Sequence, residues 1–333
     1  MRYVLTRIGL FVLTLWAAIT LNFVLPRLMP GSSLDAALAR LAASGQQVTN
    51  AQVRAIEAQL GSPHGSWFSQ YGQYLSDLVH LRFGTSFTDP TQSVASAIGK
   101  ALPWTLVLVG VTTIIAFVLG TLLGAFAGWR RGRRSDAWIT TTATLFGAFP
   151  PFWFGLLLLF GLAFRLQWFP ISGGYSEGAT PTLSLTFLSD AAVHSVLPGL
   201  TLAITTLSGW VFGMRNTMIN TLGEDYVVFA EANGLRDRTV ALRYAARNAL
   251  LPNVTAFGLS LGAVVGGSVL VEGVFGYPGV GQLLFKAVTN HDFPLMQALF
   301  LVITVSMLVT IFIVDLLYAR LDPRVRTQGG ESS

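Results

Sequence analysis

Apolar residues along this chain gather into long runs, separated by polar stretches that carry most of the arginines. A hydrocarbon layer about 30 Å thick needs roughly 20 mostly apolar residues for one helix to cross it. By that measure the pattern predicts about six spans: Ile8–Leu28, Trp104–Ala127, Ile139–Phe164, Leu197–Phe212, Val254–Leu270 and Met296–Tyr318. The first run has a secretory signal as its alternative, but a signal's apolar region is about 7–15 residues before a small-residue cleavage site. Here the run is longer and ends in Pro26-Arg27-Leu28-Met29-Pro30-Gly31, so it reads as an anchor. The third run contains Pro150-Pro151. The expected class is an all-α integral membrane protein.

Two polar regions are long. Residues 32–100 hold helical pieces at Leu34–Leu41 and Ala51–Leu60, with Asn50 placed to cap the second. Val53, Ile56 and Leu60 recur at helical spacing, giving a small helical insertion after the first span, too small to bury a substantial core alone. Gln167–His194 is rich in Gly, Ser, Thr and Pro and reads as irregular.

Composition narrows the class further. Hydrophobic residues make up 52% and charged residues 11%, with a mean hydropathy of +0.59, outside the range of ordinary soluble globules. Cysteine is absent, which excludes disulfides, thiolate metal sites and cysteine nucleophiles. Fourteen of the 21 basic residues fall in the termini, the Arg130–Asp136 loop and the Arg215–Pro252 segment, which share one side if there are six spans. Basic residues favour the cytoplasm, so both termini are expected there and the insertion outside. The arginines flank spans and lie on no soluble domain, which disfavours nucleic acid as a partner. Arg215, closing the fourth span, reads as an interfacial anchor that snorkels. Trp104, Trp129, Trp138 and Trp168 stand near span ends, where interfacial aromatics gather.

The segment from Glu224 to Pro252 is long, charged and yet helix-prone. Glu224 and Asp225 sit early, where a helix dipole favours acids, and Tyr226, Ala230, Ala232 and Asn233 continue a helix. Gly234 would end it in a left-handed cap. After Leu235 and Arg236, Asp237 would cap a second helix reaching about Leu250 and stopped by Pro252. Arg243 and Arg247 are four apart, and Arg236 would share their face if the helix reached back to it. Charge alone is equally met by solvated arginines that set orientation; the glycine elbow points to a docking surface.

Elsewhere, Gly258, Gly262, Gly266 and Gly267 form a small-residue face that either packs helices closely or lines a path. Glu272 and Asp315 lie near span ends, where an acid is either functional or hydrogen-bonded at a helix terminus.

These pieces together resemble a known family. Glu224-Asp225-Tyr226, Ala230-Glu231-Ala232-Asn233-Gly234-Leu235 and Arg247-Asn248-Ala249-Leu250-Leu251-Pro252 are similar to the EAA loop of binding-protein-dependent ABC importer permeases. Val271-Glu272-Gly273-Val274-Phe275, Pro278-Gly279-Val280-Gly281, Asp315-Leu316-Leu317-Tyr318 with Asp322-Pro323-Arg324, and Phe83-Gly84-Thr85-Ser86 resemble the dipeptide/oligopeptide/nickel branch in its first-subunit form. Glu231 and Asn233 depart from it, standing where basic residues are commoner, and Leu81-Arg82-Phe83 replaces a usual Gly-Asp pair.

The resemblance implies a type I ABC importer transmembrane fold. Residues 96–320 would form the permease domain, with a cytosolic coupling loop at 221–252. Residues 1–95 would supply the first helix and the outer insertion, and 321–333 a cytosolic tail. It implies residence in a bacterial cell membrane beside a homologous second permease, two cytosolic ATPase subunits and an extracytoplasmic solute-binding protein. ATP and Mg²⁺ would belong to the ATPases; this chain has no Gly-x4-Gly-Lys-Ser/Thr, and no catalytic, cofactor or metal residue is assigned to it. The implied cargo is di- or oligopeptides, with oligosaccharides or nickel chelates as alternatives. A secondary transporter would want ionisable groups at span centres, which show few, and a membrane enzyme a His-Glu-x-x-His or Gly-x-Ser-x-Gly signature, which is not present.

Overall fold

A computed structural model describes residues 2–28, 66–86, 89, 91–266, 268–290 and 292–321. The expected helices at Leu34–Leu41 and Ala51–Leu60, the Asn50 cap, Gly267 and the tail beyond Leu321 lie outside the described residues, as does the side chain of Asp315. Among the described residues the chain is helical, with one isolated antiparallel bridge between Thr85 and Ser93. It divides into two compact units, residues 1–103 with 283–308 and residues 104–282 with 309–333.

The first unit holds α1 (Arg2–Leu28), α2 (Trp67–Val79) and the N-terminal part of α12 (Phe293–Leu321). α1 and α12 exchange side-chain amides: Asn22 Nδ2 donates to the Gln297 carbonyl at 2.9 Å, and Gln297 Nε2 to the Asn22 carbonyl at 3.2 Å. Such a reciprocal pair satisfies polar groups that lipid could not. Asp292 is fully buried ahead of α12; its carboxylate accepts from the Ser86 hydroxyl and, at 3.3 Å, from the Leu295 amide of the helix's first turn.

In the second unit α6 (Leu185–Leu222) is central. α3 (Val94–Trp129) lies against it through Gly120, Gly124 and Gly128, where added Cβ atoms would strike Trp210, Val211 and Met218 of α6. Glycine every fourth residue removes the side chains that would hold two helix backbones apart. α4 (Arg134–Gly147) packs on the same helix, with Gly147 close against Ser208. α5 (Pro151–Leu158) follows, continued by a π-helical stretch at Leu159–Arg165.

The spans differ from expectation in three places. The segment 139–164 is broken: α4 and the helix starting at Pro151 meet at 94°. Pro150 caps with extended backbone and Pro151 takes the first helical position, where a missing N–H costs nothing. The span at Leu197–Phe212 is the middle of a 38-residue helix, capped by Ser184, whose hydroxyl accepts from the Phe187 amide at 3.2 Å. The segment 254–270 is displaced: α9 runs Arg247–Val264, and a new short helix, α10 (Val269–Val274), follows. Four described helices are long and apolar enough to cross a membrane, or five if the bent pair is one span. α9 is not among them, since its first turns carry Arg247, Asn248, Pro252 and Asn253.

Candidate functional site

The arginine-rich segment folds as a hairpin. α7 (Asp225–Ala232) starts after Glu224, whose extended backbone forms the N-cap, and places Asp225 in the first turn. Gly234 has φ +76°. Its amide donates to the Glu231 carbonyl at 2.9 Å and the Leu235 amide to the Ala230 carbonyl at 3.4 Å, the paired bonds of a Schellman cap. The second arm is α8 (Asp237–Thr239), a π-helical stretch Val240–Ala246, and α9 in unbroken succession.

Three sequence expectations need correction here. Arg236, not Asp237, is the N-cap, and it makes no side-chain cap bond; Asp237 is the first helical residue, where its charge still meets the helix dipole. Pro252 does not stop the helix, which passes through it to Val264. Proline removes one backbone bond from a helix interior and kinks it without always ending it. Third, Arg236, Arg243 and Arg247 do not lie on one α-helical face, because Arg236 precedes the helix and Arg243 lies in the π-helical stretch.

That π stretch has a packing cause. Ala241, Ala245 and Ala249, spaced by four, are all buried against Met214 and Met218 of α6. Positions four apart drift around a helix with 3.6 residues per turn, and a π turn, which takes in more residues, corrects the drift. Small alanines let the arm approach α6 closely. Val227 and Ala230 of α7 close a second cluster with Val240, and Asn248 Nδ2 donates to the Tyr226 hydroxyl at 2.8 Å, bracing one arm to the other. The hairpin is thus fixed internally and to α6.

Its outer surface is not covered. Phe229 is 70% exposed, and Tyr226, Val228, Leu235, Leu242 and Tyr244 are exposed beside Arg236, Arg238, Arg243 and Arg247. Ala232 is exposed as well. An apolar patch rimmed by charge is the usual mark of an interaction site. Sequence reading had passed over Phe229 and Val228. The available signal was the run Val227-Val228-Phe229-Ala230, too apolar all round for an eight-residue helix that buries only one side.

The second motif region behaves differently. Glu272 is fully buried. Its Oε2 accepts from the Gly281 amide at 2.8 Å and the Gln282 amide at 3.3 Å, and Thr105 Oγ1 donates to Oε1 at 3.1 Å. Thr105 Oγ1 in turn accepts from the Val280 amide at 2.7 Å. The free amides opening α11 (Val280–Thr289) are therefore held by one carboxylate and one hydroxyl. Added Cβ atoms at Gly279 and Gly281 would collide with Glu272 Oε2, and at Gly281 also with the Val269 backbone. Among the other glycines, Gly258 packs against Val314, Gly262 is buried and Gly266 half-buried.

Arg215 is not a snorkelling anchor. It lies within α6, and its guanidinium grips Asp136 of α4 by two bonds, Nε to Oδ1 at 2.6 Å and Nη2 to Oδ2 at 2.9 Å. The Gly132 amide also donates to Asp136 Oδ2 at 2.9 Å. Asp136 is buried, and a planar fork on a buried carboxylate is among the strongest polar pairings a protein makes. Trp104 packs among Tyr175, Phe187 and Tyr277, whereas Trp138 and Trp168 are exposed.

Long apolar helices define an integral membrane protein, and its hairpin is packed on the inner side and exposed on the outer. Residues 120–327 match the family described as binding-protein-dependent transport system inner membrane component, and the chain belongs to that family. It is similar to the oligopeptide transport system permease protein AppB of Bacillus subtilis, 36% identical over 78% of this chain and 80% of the relative. It is also similar to the dipeptide transport system permease protein DppB of Lactococcus lactis, 32% identical over 98% of this chain and 99% of the relative. The glutathione transport system permease protein GsiC of Escherichia coli K12 is 31% identical over the same shares.

Proposed function

We propose that this chain is one permease subunit of an ATP-driven peptide importer and that its hairpin is the seat of a cytosolic ATPase. The single observation that carries the reading is the exposed face of α7, Phe229 foremost, on a hairpin whose two arms are tied to each other and to α6. An exposed aromatic side chain that a partner would bury is the kind of anchor a docking hot spot uses.

Orientation follows from the arginine distribution, which favours placing the hairpin and both termini in the cytoplasm. A homologous second permease would complete the path, and an external solute-binding protein would deliver the cargo. ATP and Mg²⁺ would be bound by the ATPases, and this chain would contribute no catalytic group. Relatives named for oligopeptide, dipeptide and glutathione transport favour peptides as cargo. Mechanically, closure of the ATPases would push the elbow as a rigid body. Force would pass through the Ala241–Ala245–Ala249 stripe to Met214 and Met218, and so into α6. Nucleotide supplies the differential affinity that such a two-state swing needs.

The test is Phe229→Asp in the assembled importer. Membrane insertion and yield should be unchanged, while ATPase co-purification and peptide-stimulated ATP turnover fall by roughly 30-fold, the loss of one hot-spot side chain. Full co-purification with normal turnover would remove the docking role. Uptake of labelled dipeptides against labelled oligosaccharides and nickel chelates assigns the cargo.

A further inference from the structure

α2 stands on α1 at the end of a membrane span. The apolar window of α1 is Thr6–Val24. Tyr71 of α2 shares a hydrogen bond with Thr20 at 2.7 Å, and Asn22 Nδ2 donates to the Tyr74 hydroxyl at 3.3 Å. Phe23 lies between the two tyrosine rings, with centroids 5.1 and 5.5 Å away. These contacts fall within the last four or so residues of the window. At about 1.5 Å of rise per residue that is roughly 6 Å from its end.

Around its axis α2 has three sectors besides Gln70 and Asp77, which are half-buried opposite the apolar flank. Tyr71, Tyr74 and Leu78 form the side turned to α1, all half-buried. Ser69, Gly72, Gln73 and Ser76 are exposed and small or polar. Between them runs an apolar flank of Phe68, Leu75 and Val79, spaced seven and four apart on one helical face. Phe68 is 88% exposed and Val79 79%. A helix packed against a soluble core would bury its apolar flank; this one leaves Phe68 almost bare.

The end of α2 points the same way by an independent route. The helix closes with Schellman bonds, Leu81 amide to Leu78 carbonyl at 3.1 Å and Arg82 amide to Asp77 carbonyl at 2.8 Å. The left-handed position, where glycine is the ordinary occupant, holds Leu81 at φ +53° and 69% exposed. An apolar residue kept in a strained conformation with its side chain outward needs a use for that side chain. α1 also presents bare apolar surface, with Leu13, Trp16 and Leu21 all exposed.

We infer that α2 is an interfacial helix, lying on the outer boundary of the bilayer with Phe68, Val79 and Leu81 set into lipid. Three sectors suit that place: one to the spanning helix, one down to acyl chains, one up to water and headgroups. Trp67 and the two tyrosines are the residue types enriched at this depth. The helix would act as a float, fixing how deep α1 sits.

The sequence has no cysteine, so single-cysteine variants need no background removal. Phe68→Cys, Val79→Cys and Leu81→Cys, with Ser69→Cys, Gln73→Cys and Ser76→Cys as controls, would carry nitroxide labels in the assembled importer in lipid nanodiscs. The three flank labels should collide several-fold more with dissolved oxygen than with a water-soluble nickel chelate, and the controls the reverse. Equal nickel exposure at both sets would put the flank in water and overturn the proposal. Low exposure to both reagents would mean that protein covers it, from another subunit or another part of this chain, and would overturn it as well. Three flank sites keep the test open should Phe68→Cys fail to assemble.

Discussion

Gly234 in the hairpin and Gly279 and Gly281 in the turn before α11 belong to motifs that look alike on paper, a glycine among small and apolar residues near an acid. The structure separates them. At Gly234 nothing stands within reach of an added Cβ; the residue is glycine because φ is +76°. At Gly279 and Gly281 the obstacle is the space itself, filled by Glu272, Thr105 and Val269. The first glycine shapes a surface left open for something else. The other two let a motif close on itself, its carboxylate buried and its amides satisfied. A glycine in a transporter motif therefore says little until one knows whether backbone or neighbour demands it.

The comparison breaks most visibly at the closed turn. Gly281→Val would drive two branches into Glu272 and the Val269 backbone, and the turn would give way, with an expected loss of about 3 kcal/mol or more. Yield of folded protein and the apparent thermal midpoint of the purified permease should both fall sharply. Glu272→Ala should fall in the same direction by a smaller step, since the Gly281 and Gln282 amides would be left buried without partners at about 1–3 kcal/mol. A wild-type midpoint in both variants would mean the turn is not closed as described.

Next in size is the Asp136–Arg215 clamp. Arg215→Ala leaves a buried carboxylate with only the Gly132 amide, and because Arg215 is itself partly accessible the cost is put at about 2 kcal/mol rather than the full value for a buried pair. Arg215→Lys keeps the charge and loses the two-pronged geometry, so it should recover only part of the midpoint. Full recovery by lysine would reduce the clamp to simple charge pairing.

How much of this could be read in advance depends on sequence distance. The elbow was legible because its signals are local: early acids, a helical run, then a glycine cap. Residues 139–164 were read as one span although they contain Pro150-Pro151, and the 94° bend there has no angle written in the sequence. Arg215 was misread because its partner is 79 positions away, and nothing near it in sequence announces a carboxylate. Glu272 shows the same limit more strongly: Thr105 is 167 positions distant, so an acid by a span end left a functional role and a helix-terminus bond both open. The π stretch at Val240–Ala246 has no local signature; it is the register that three alanines need to meet Met214 and Met218. The passage of α9 through Pro252 is similarly a tertiary outcome, in which packing against α6 outweighs one lost backbone bond.

The smallest effect sharpens the comparison best. Gly234→Ala should cost only about 1 kcal/mol, the penalty of a β-carbon at positive φ, because no neighbour obstructs it. Gly234→Asn should cost less still, since asparagine tolerates the left-handed region, and Gly234→Val clearly more, as a β-branched side chain there is a genuine outlier. At Gly281 this order should vanish: asparagine should be as damaging as valine, because space and not φ is limiting there. Thermal midpoints of the six variants, alanine, asparagine and valine at each site, decide the matter. If asparagine rescues Gly281, or fails to rescue Gly234 relative to alanine, then the two glycines are doing the same job and the contrast between an open hairpin and a closed turn does not hold.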